Sequence, residues 1–203
     1  MNSYLIYHPR RCLSKVGIYN VYHDKFGGNE DPYIWNEKFL HSFCHIPQIT
    51  KEIGQINFWV SGDTYPNFSQ LFCDCVFVVK EKIIWQRINS INRNDPVVDN
   101  SQTYKHHYKW VHQHPFKKKK RYTLKADPHS SYQPQTINQV LLDIIPFLNS
   151  NGISTKNLIQ QITSQGGSRP FKMSQSFGEK LYDYINANAG IKIYGISLQH
   201  LHP

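Results

Sequence analysis

The sequence has few cysteines and no disulfide or zinc pattern. Its 203 residues contain Cys12, Cys44, Cys73 and Cys75, and no two of them have C-x-x-C spacing. A chain of this length builds a core without disulfides. The sequence also lacks the basic start and long apolar run of a cleavable leader. These absences predict an intracellular protein with reduced thiols, and the cytoplasm is its expected location.

Long hydrophobic runs are missing as well. The apolar stretches at 76–79 and 140–146 are interrupted by charge, well short of the roughly 20 residues that a membrane-spanning helix needs. The sequence therefore predicts a soluble protein without a membrane partner.

The common catalytic motifs are absent from the sequence. It has no Walker loop, no dinucleotide-binding G-x-G-x-x-G, no G-x-S-x-G elbow and no H-E-x-x-H metal clamp. The H-x-E and P-C-x-x-C pair of zinc deaminases is missing too. The motifs therefore indicate no reaction.

What the sequence does contain is a concentrated positive charge. Between residues 103 and 125 lie eight of the 23 Lys and Arg residues and no acid, which leaves 15 cations against 14 acids elsewhere. A nearly neutral body with one cationic stretch is typical of proteins that bind a polyanion. The expected partner is DNA, RNA or a phosphate-rich nucleotide, although a solvated lysine loop or an acidic protein partner would also account for the charge.

The end of this stretch, "RYTLKAD" (residues 121–127), has the alternation of a strand. Its pattern predicts Tyr122, Leu124 and Ala126 on the inward face and a row of donors on the other. Lysine, arginine and threonine are the groups that phosphate contacts use, and exposed aromatics stack on bases. The predicted binding residues are Lys117, Lys118, Lys119, Lys120, Arg121, Thr123, Lys125, Trp110 and Phe116.

The preceding segment predicts a short helix with several histidines. Ser101 is a suitable N-cap for a helix over 102–112, and His107 and His114 fall on one face of it. No histidine pair has the i, i+4 spacing of a metal clamp. Because nearby cations favour the neutral imidazole, either histidine could transfer a proton or bind a ligand, and half-buried surface histidines are the simpler interpretation.

Two carboxylates are further candidates for catalysis. Asp74 lies in "LFCDCVFVV", a strand that is apolar on both faces and so is expected to be central in its sheet. A buried charge there must be compensated, either by a structural partner or by a role as metal ligand or general base. Asp63 follows Gly62 at the end of another strand, where Gly-Asp is also ordinary turn chemistry. The alternation places Cys73 and Cys75 on one face, as small buried hydrophobes.

The first part of the chain is predicted to form strands, and the rest helices. Strands are expected at 3–8, 16–23, "QINFWV" and "LFCDCVFVV", with "EKIIW" a continuation of the last, and a short helix between Trp35 and Phe43. A capping box at Thr136 and Gln139 predicts a helix that ends near Pro146.

Two further helices are predicted by the same rules. One runs from Thr155 to Thr163, and another begins near Ser176 and closes at Gly190 with a left-handed cap, before "IKIYG" returns to a sheet. The fold class is therefore α+β, with a mixed or antiparallel sheet from the N-terminal two thirds and a packed helical C-terminal part. Residues 1–133 are expected to be the strand-rich basic and aromatic part and 134–203 the helical part of one compact domain.

Two functions from different classes agree with these patterns, and a small interaction subunit that binds an acidic protein partner is a third alternative. The first is a module that binds or processes nucleic acid or nucleotide phosphates through the cationic run and strand. The second is an enzyme acting on phosphate esters or nucleobases, with Asp63, Asp74 and a histidine around a water or around a divalent metal as cofactor.

Overall fold

The computed structural model of the chain describes residues 1–7, 12–23, 42–43, 52–64, 68–84, 122–164 and 170–194. The strands in this part are β1 (Asn2–Tyr7), β2 (Cys12–Val16), β3 (Tyr19–His23), β4 (Ser42–Phe43), β5 (Ile56–Gly62), β6 (Leu71–Ile84), β7 (Tyr122–Ala126), β8 (Gln133–Gln135), β9 (Leu142–Asp143), β10 (Phe171–Ser174) and β11 (Ile191–Ile193). The helices are α1 (Ile145–Ser150), α2 (Thr155–Thr163) and α3 (Gln175–Asn188).

The main sheet is mixed. Its strand order is β10-β1-β5-β6-β7-β4. Strands β1 and β5 run parallel, while the other neighbours pair antiparallel. Together with the helices of the C-terminal part, this sheet confirms the predicted α+β class.

Strand β6 is the centre of the sheet, as its two apolar faces predicted. One edge pairs with β5, and the other is shared by β9, Tyr132 and β7 in turn. The predicted continuation through "EKIIW" is confirmed as far as Ile84.

The two faces of the sheet are buried in different clusters. The first cluster includes Leu5, Phe58 and Cys73 from the sheet and Leu148, Ile162 and Leu181 from helices α1, α2 and α3. The second face carries a separate buried cluster, made of Tyr4, Ile6, Trp59, Cys75, Phe77, Val79, Leu124 and Ala126. Burial on both faces is what a strand as apolar as β6 requires.

The helix predicted from the capping box at Thr136 is wrong. The Thr136 carbonyl accepts from Gln139 N and the Thr136 N–H donates to Val140 O at 2.7 Å, which closes a tight turn. Gln139 has a φ of 59°, a left-handed conformation that a helix cannot contain. Helix α1 begins instead at Ile145, with Pro146 in its first turn, where proline's missing N–H costs nothing.

The other two helices agree with the sequence except at their ends. Helix α2 spans Thr155–Thr163 as predicted, and α3 begins one residue before the predicted start, with Ser174 as its N-cap. Gly190 is not a left-handed cap, because its φ is not positive. A Cβ at Gly190 would lie 2.6 Å from Ile137 Cγ2, so close contact explains the glycine.

Two expectations concern segments at the margins of the sheet. The predicted helix between Trp35 and Phe43 is wrong at its last two residues, which form β4 against β7, and its other residues lie outside the described ranges. Strand β11 pairs with β8 in a separate two-stranded sheet.

No helix in the described part of the chain is long and apolar enough to cross a membrane.

Candidate functional site

Strands β6 and β7 form a ribbon that extends past the neighbouring strand β5. The pairing of β5 with β6 stops at Ile56 and Val78, whereas β6 continues to Ile84 and pairs with β7 along this extension. A register shift between Val79 and Glu81 leaves Lys80 as an extra residue in β6. Bulges of this kind increase the local twist of the strands.

The ribbon carries exposed positive charge. Lys80 and Lys82 are exposed on β6, with Glu81 between them. On β7, Lys125 stands opposite Glu81 in the register and Thr123 stands opposite Ile83. Tyr122, the residue after Arg121 in the sequence, pairs with Ile84 at the end of the ribbon.

The hydrophobic core fixes β7 in this position. Leu124 is 0% exposed and Ala126 is 6% exposed, and both belong to the second cluster. This confirms the predicted strand and the burial of these two residues. The cationic strand is therefore part of the folded body.

The sequence interpretation did not include Lys80 and Lys82 among the binding residues. The signal was present in "VVKEKII", because a buried strand that ends in alternating charges indicates a strand leaving the core. Only the partner strand β7 shows that these lysines lie beside the residues predicted from the cationic stretch.

Asp127 closes the turn that follows the ribbon. Its Oδ1 accepts hydrogen bonds from His129 N at 2.9 Å and Ser130 N at 3.0 Å. Desolvation acts to raise the pKa of Asp127, but these hydrogen bonds and the charge of Lys80 outweigh it, so the pKa lies below its usual value. The predicted row of donors therefore ends at a carboxylate that faces its own turn.

The lowered pKa of Asp127 predicts a pH dependence. A group with a depressed pKa in the folded state contributes stability above its unfolded pKa and loses it as the pH falls through the folded pKa. We expect the melting temperature to fall between about pH 5 and pH 2, and Asp127→Asn to remove part of that fall. Carboxyl NMR titration should also show a higher pKa for Asp127 in Lys80→Ser. An unchanged pKa in that variant would contradict the contribution of the Lys80 charge.

Asp74 occupies a bulge in the middle of the main sheet. Trp59 pairs with Cys75 and Val60 pairs with Cys73, so Asp74 is the extra residue in β6. Its side chain is 5% exposed, and its Oδ1 accepts a hydrogen bond from Ser61 Oγ at 2.9 Å. Asp74 is therefore a buried acceptor for the Ser61 hydroxyl, which is a structural partner of the kind that the sequence analysis considered.

The same bulge reverses the expected orientation of the cysteines. Cys73 belongs to the cluster under the helices, while Cys75 belongs to the cluster on the other face. The prediction that both cysteines share one face is therefore wrong, because the extra residue shifts the alternation by one. Burial raises the pKa of the Cys73 thiol well above its usual value, as expected for a small buried hydrophobe.

Asp63 lies in the loop between β5 and β6 and is exposed. Its Oδ2 accepts from Ser69 Oγ at 2.9 Å and its Oδ1 from Gln70 N at 3.2 Å. Desolvation opposes the effect, but these bonds lower the pKa of Asp63 below its usual value. The carboxylate holds the two ends of the loop together, as turn chemistry requires.

The remaining predicted residues lie outside the described ranges or have side chains outside them. The first group contains His107, Trp110, His114, Phe116, Lys117, Lys118, Lys119, Lys120 and Arg121. The second group contains Thr123 and Lys125, whose backbone is described but whose side chains are not. Among the residues that the structure describes, no three His, Cys, Asp or Glu side chains form a group able to hold a metal. A role for Asp63 or Asp74 beside a histidine stays a prediction.

Comparison of the chain with protein-family models, with curated proteins and with solved structures finds no match.

Proposed function

We propose that this chain binds the phosphate backbone of a nucleic acid with the β6–β7 ribbon and the cationic run that precedes β7. The observation that carries the proposal is the extension of β6 beyond β5, with Lys80 and Lys82 exposed beside the strand that contains Lys125. The cationic run ends at Arg121, directly before the first residue of β7, so in the sequence its charges adjoin those of the ribbon.

Both the shape and the charge of this surface support the proposal. A two-stranded ribbon fits the major groove of duplex DNA, and lysines bind phosphates as point charges without reading sequence. Leu124 and Ala126 anchor the ribbon in the core, so little ordering of β7 is needed on binding. Contacts from lysines to phosphates position a protein on the nucleic acid without reading its sequence.

The ribbon lysines provide a test that does not depend on the lysine run. We expect Lys80→Ser/Lys82→Ser to weaken binding of a labelled 20-nucleotide probe about tenfold at low salt, because each lost phosphate contact reduces the salt slope by about one. Fluorescence anisotropy measures both the affinity and its salt dependence, with duplex DNA, single-stranded DNA and single-stranded RNA as separate probes.

The matched control changes the same net charge elsewhere. Lys172 on β10 and Lys180 on α3 are exposed, and β10 is at the opposite end of the strand order from β7 and β4. Lys172→Ser/Lys180→Ser should bind like the unmodified chain. Equal losses in the two double variants would show that only net charge matters, and tighter binding to polyglutamate than to any nucleic acid would indicate an acidic protein partner instead.

A further inference from the structure

The β2–β3 hairpin is attached to the rest of the protein in an unusual way. Its two strands form their own sheet, joined by a turn in which Gly17 has a φ of 59°. In the described part of the chain, no strand pairs its backbone with the second edge of β3. Three glutamine side chains contact that edge instead.

Gln133 binds one residue of β3 as a neighbouring strand would. Its Oε1 accepts from Tyr22 N at 2.9 Å, and its Nε2 donates to Tyr22 O at 2.8 Å. The side-chain amide therefore satisfies both backbone groups of Tyr22 on this edge, which are obligatory hydrogen-bonding groups.

Two more glutamines continue the pattern at every second residue. Gln139 Oε1 accepts from Asn20 N at 2.8 Å, and Gln135 Nε2 donates to Asn20 O at 2.6 Å. Gln139 Nε2 also donates to Ile18 O at 3.2 Å. Alternate residues of a strand direct their N–H and C=O groups to the same edge, so the glutamines form hydrogen bonds along one edge of an extended main chain. A side chain of β3 also takes part, because Tyr22 Oη donates to Gln139 O at 3.3 Å.

The surrounding structure holds the glutamines in place. Gln133 and Gln135 are 1% and 0% exposed, and Gln133 Nε2 also donates to the Asp74 carbonyl at 3.0 Å. Gln135 Oε1 is buried and has no hydrogen-bond partner among the described residues, so the row contains an unused acceptor. Gln139 is fixed in a left-handed conformation, which is costly for a residue other than glycine and persists only where the surroundings require it.

We propose that Gln133, Gln135 and Gln139 form a receptor for the main chain of an extended peptide strand. In this structure β3 occupies the receptor, and a strand from a partner protein binds there by displacing β3. Because the receptor contacts main-chain groups, the partner is defined by an extended backbone with free N–H groups at alternate positions, and its side chains are secondary.

A small apolar cluster also attaches the described residues of the hairpin. Val16 and Val21 pack there against Ile193, with Tyr19 and Ile191 at its margin, and the cluster is separate from the two cores of the main sheet. The apparent affinity for a competing strand is the intrinsic affinity reduced by the fraction of open hairpin. A substitution that opens the hairpin should therefore strengthen binding in trans.

The test uses the full chain and a fluorescein-labelled peptide with the sequence of residues 17–23. Gly17→Val opens the hairpin, because valine is strained at a φ of 59°. Asn20→Pro opens it independently, by removing the N–H that Gln139 accepts. Hydrogen exchange at Tyr22 checks the opening, and anisotropy measures peptide binding to each variant and to the unmodified chain.

We expect both opened variants to bind the peptide at least tenfold more tightly than the unmodified chain, and Gln133→Leu or Gln139→Ala to abolish the gain. A peptide N-methylated at the positions of Asn20 and Tyr22 should not bind. One N-methylated at Val21, whose N–H points to the other edge, should bind normally. Equal binding of the two methylated peptides, or no gain in a variant whose hairpin exchanges rapidly, would overturn the proposal.

Discussion

Replacing Asp74 by alanine should lower the free energy of unfolding by about 2–4 kcal/mol, because the change leaves the buried Ser61 hydroxyl without its acceptor and removes a buried side chain. The hydrogen bond between Ser61 Oγ and Asp74 Oδ1 is 2.9 Å long, and Ser61 is only 2% exposed. Removal of one partner of a buried pair costs more than removal of both. Urea denaturation of the single variants measures the loss.

A double-mutant cycle separates this bond from the other effects of the substitution. Ser61→Ala and Asp74→Ala should be less than additive when combined, with a coupling energy of about 1–3 kcal/mol. Asp74→Asn is the matched control, since its amide oxygen can still accept from Ser61. Additive losses would show that the bond contributes nothing. Unchanged stability in Asp74→Asn, with loss of a metal-dependent hydrolysis that the unmodified chain performs, would support the enzyme hypothesis.

Gly178→Ala should destabilise the chain by about 2–3 kcal/mol, even though alanine is the better helix former. Gly178 is buried in α3, and a Cβ there would overlap Oγ and Cβ of Ser3 in β1. Helix and strand therefore meet at a distance that only glycine allows. For a chain of this size the loss corresponds to a fall in melting temperature of roughly 4–12 °C.

Ser3→Gly provides the compensating change. Removal of the Ser3 side chain makes room for the new methyl group, so Gly178→Ala/Ser3→Gly should recover most of the lost stability, less about 0.5–1 kcal/mol for a glycine inside a strand. If Gly178→Ala is as stable as the unmodified chain, α3 does not lie against β1 at this distance.

The sequence was most informative where burial and periodicity agree. The two apolar faces of β6 predicted a central strand, and the alternation in "YTLKA" predicted the burial of Leu124 and Ala126. The predicted helix from about Thr155 to Thr163 agrees with α2, whose N-cap is Ser154. Local propensity and tertiary packing point to the same structure in these segments.

The sequence failed where long-range contacts override a local pattern. Thr136 and Gln139 have the spacing of a capping box, but the Gln139 side chain bonds the main chain of Asn20, 119 residues away. The bulge at Asp74 likewise leaves no mark in the alternation of "LFCDCVFVV", so the faces of Cys73 and Cys75 could not be assigned. A bulge depends on how the neighbouring strand β5 pairs with β6, and the sequence of β6 alone does not contain that information.

The candidate site shows the same division. Charge counting located the cationic stretch and the strand that ends it, because both are local features. The contribution of Lys80 and Lys82 depends on the antiparallel register of β6 and β7, which joins segments about 40 residues apart. The sequence named Asp63 and Asp74 together as candidate carboxylates, yet Asp63 is exposed in a loop and Asp74 is buried in a bulge.

The salt dependence of oligonucleotide affinity tests the central proposal most directly. If the run at residues 117–120 and the β6–β7 ribbon together contact about four phosphates, the logarithm of the affinity should fall against the logarithm of salt concentration with a slope of roughly −3 to −4. Serine at Lys117, Lys118, Lys119 and Lys120 should flatten that slope and leave the melting temperature nearly unchanged, since a run of four lysines is expected to be solvated and such residues contribute little to folding. A slope near zero in the unmodified chain would contradict nucleic-acid binding by this surface.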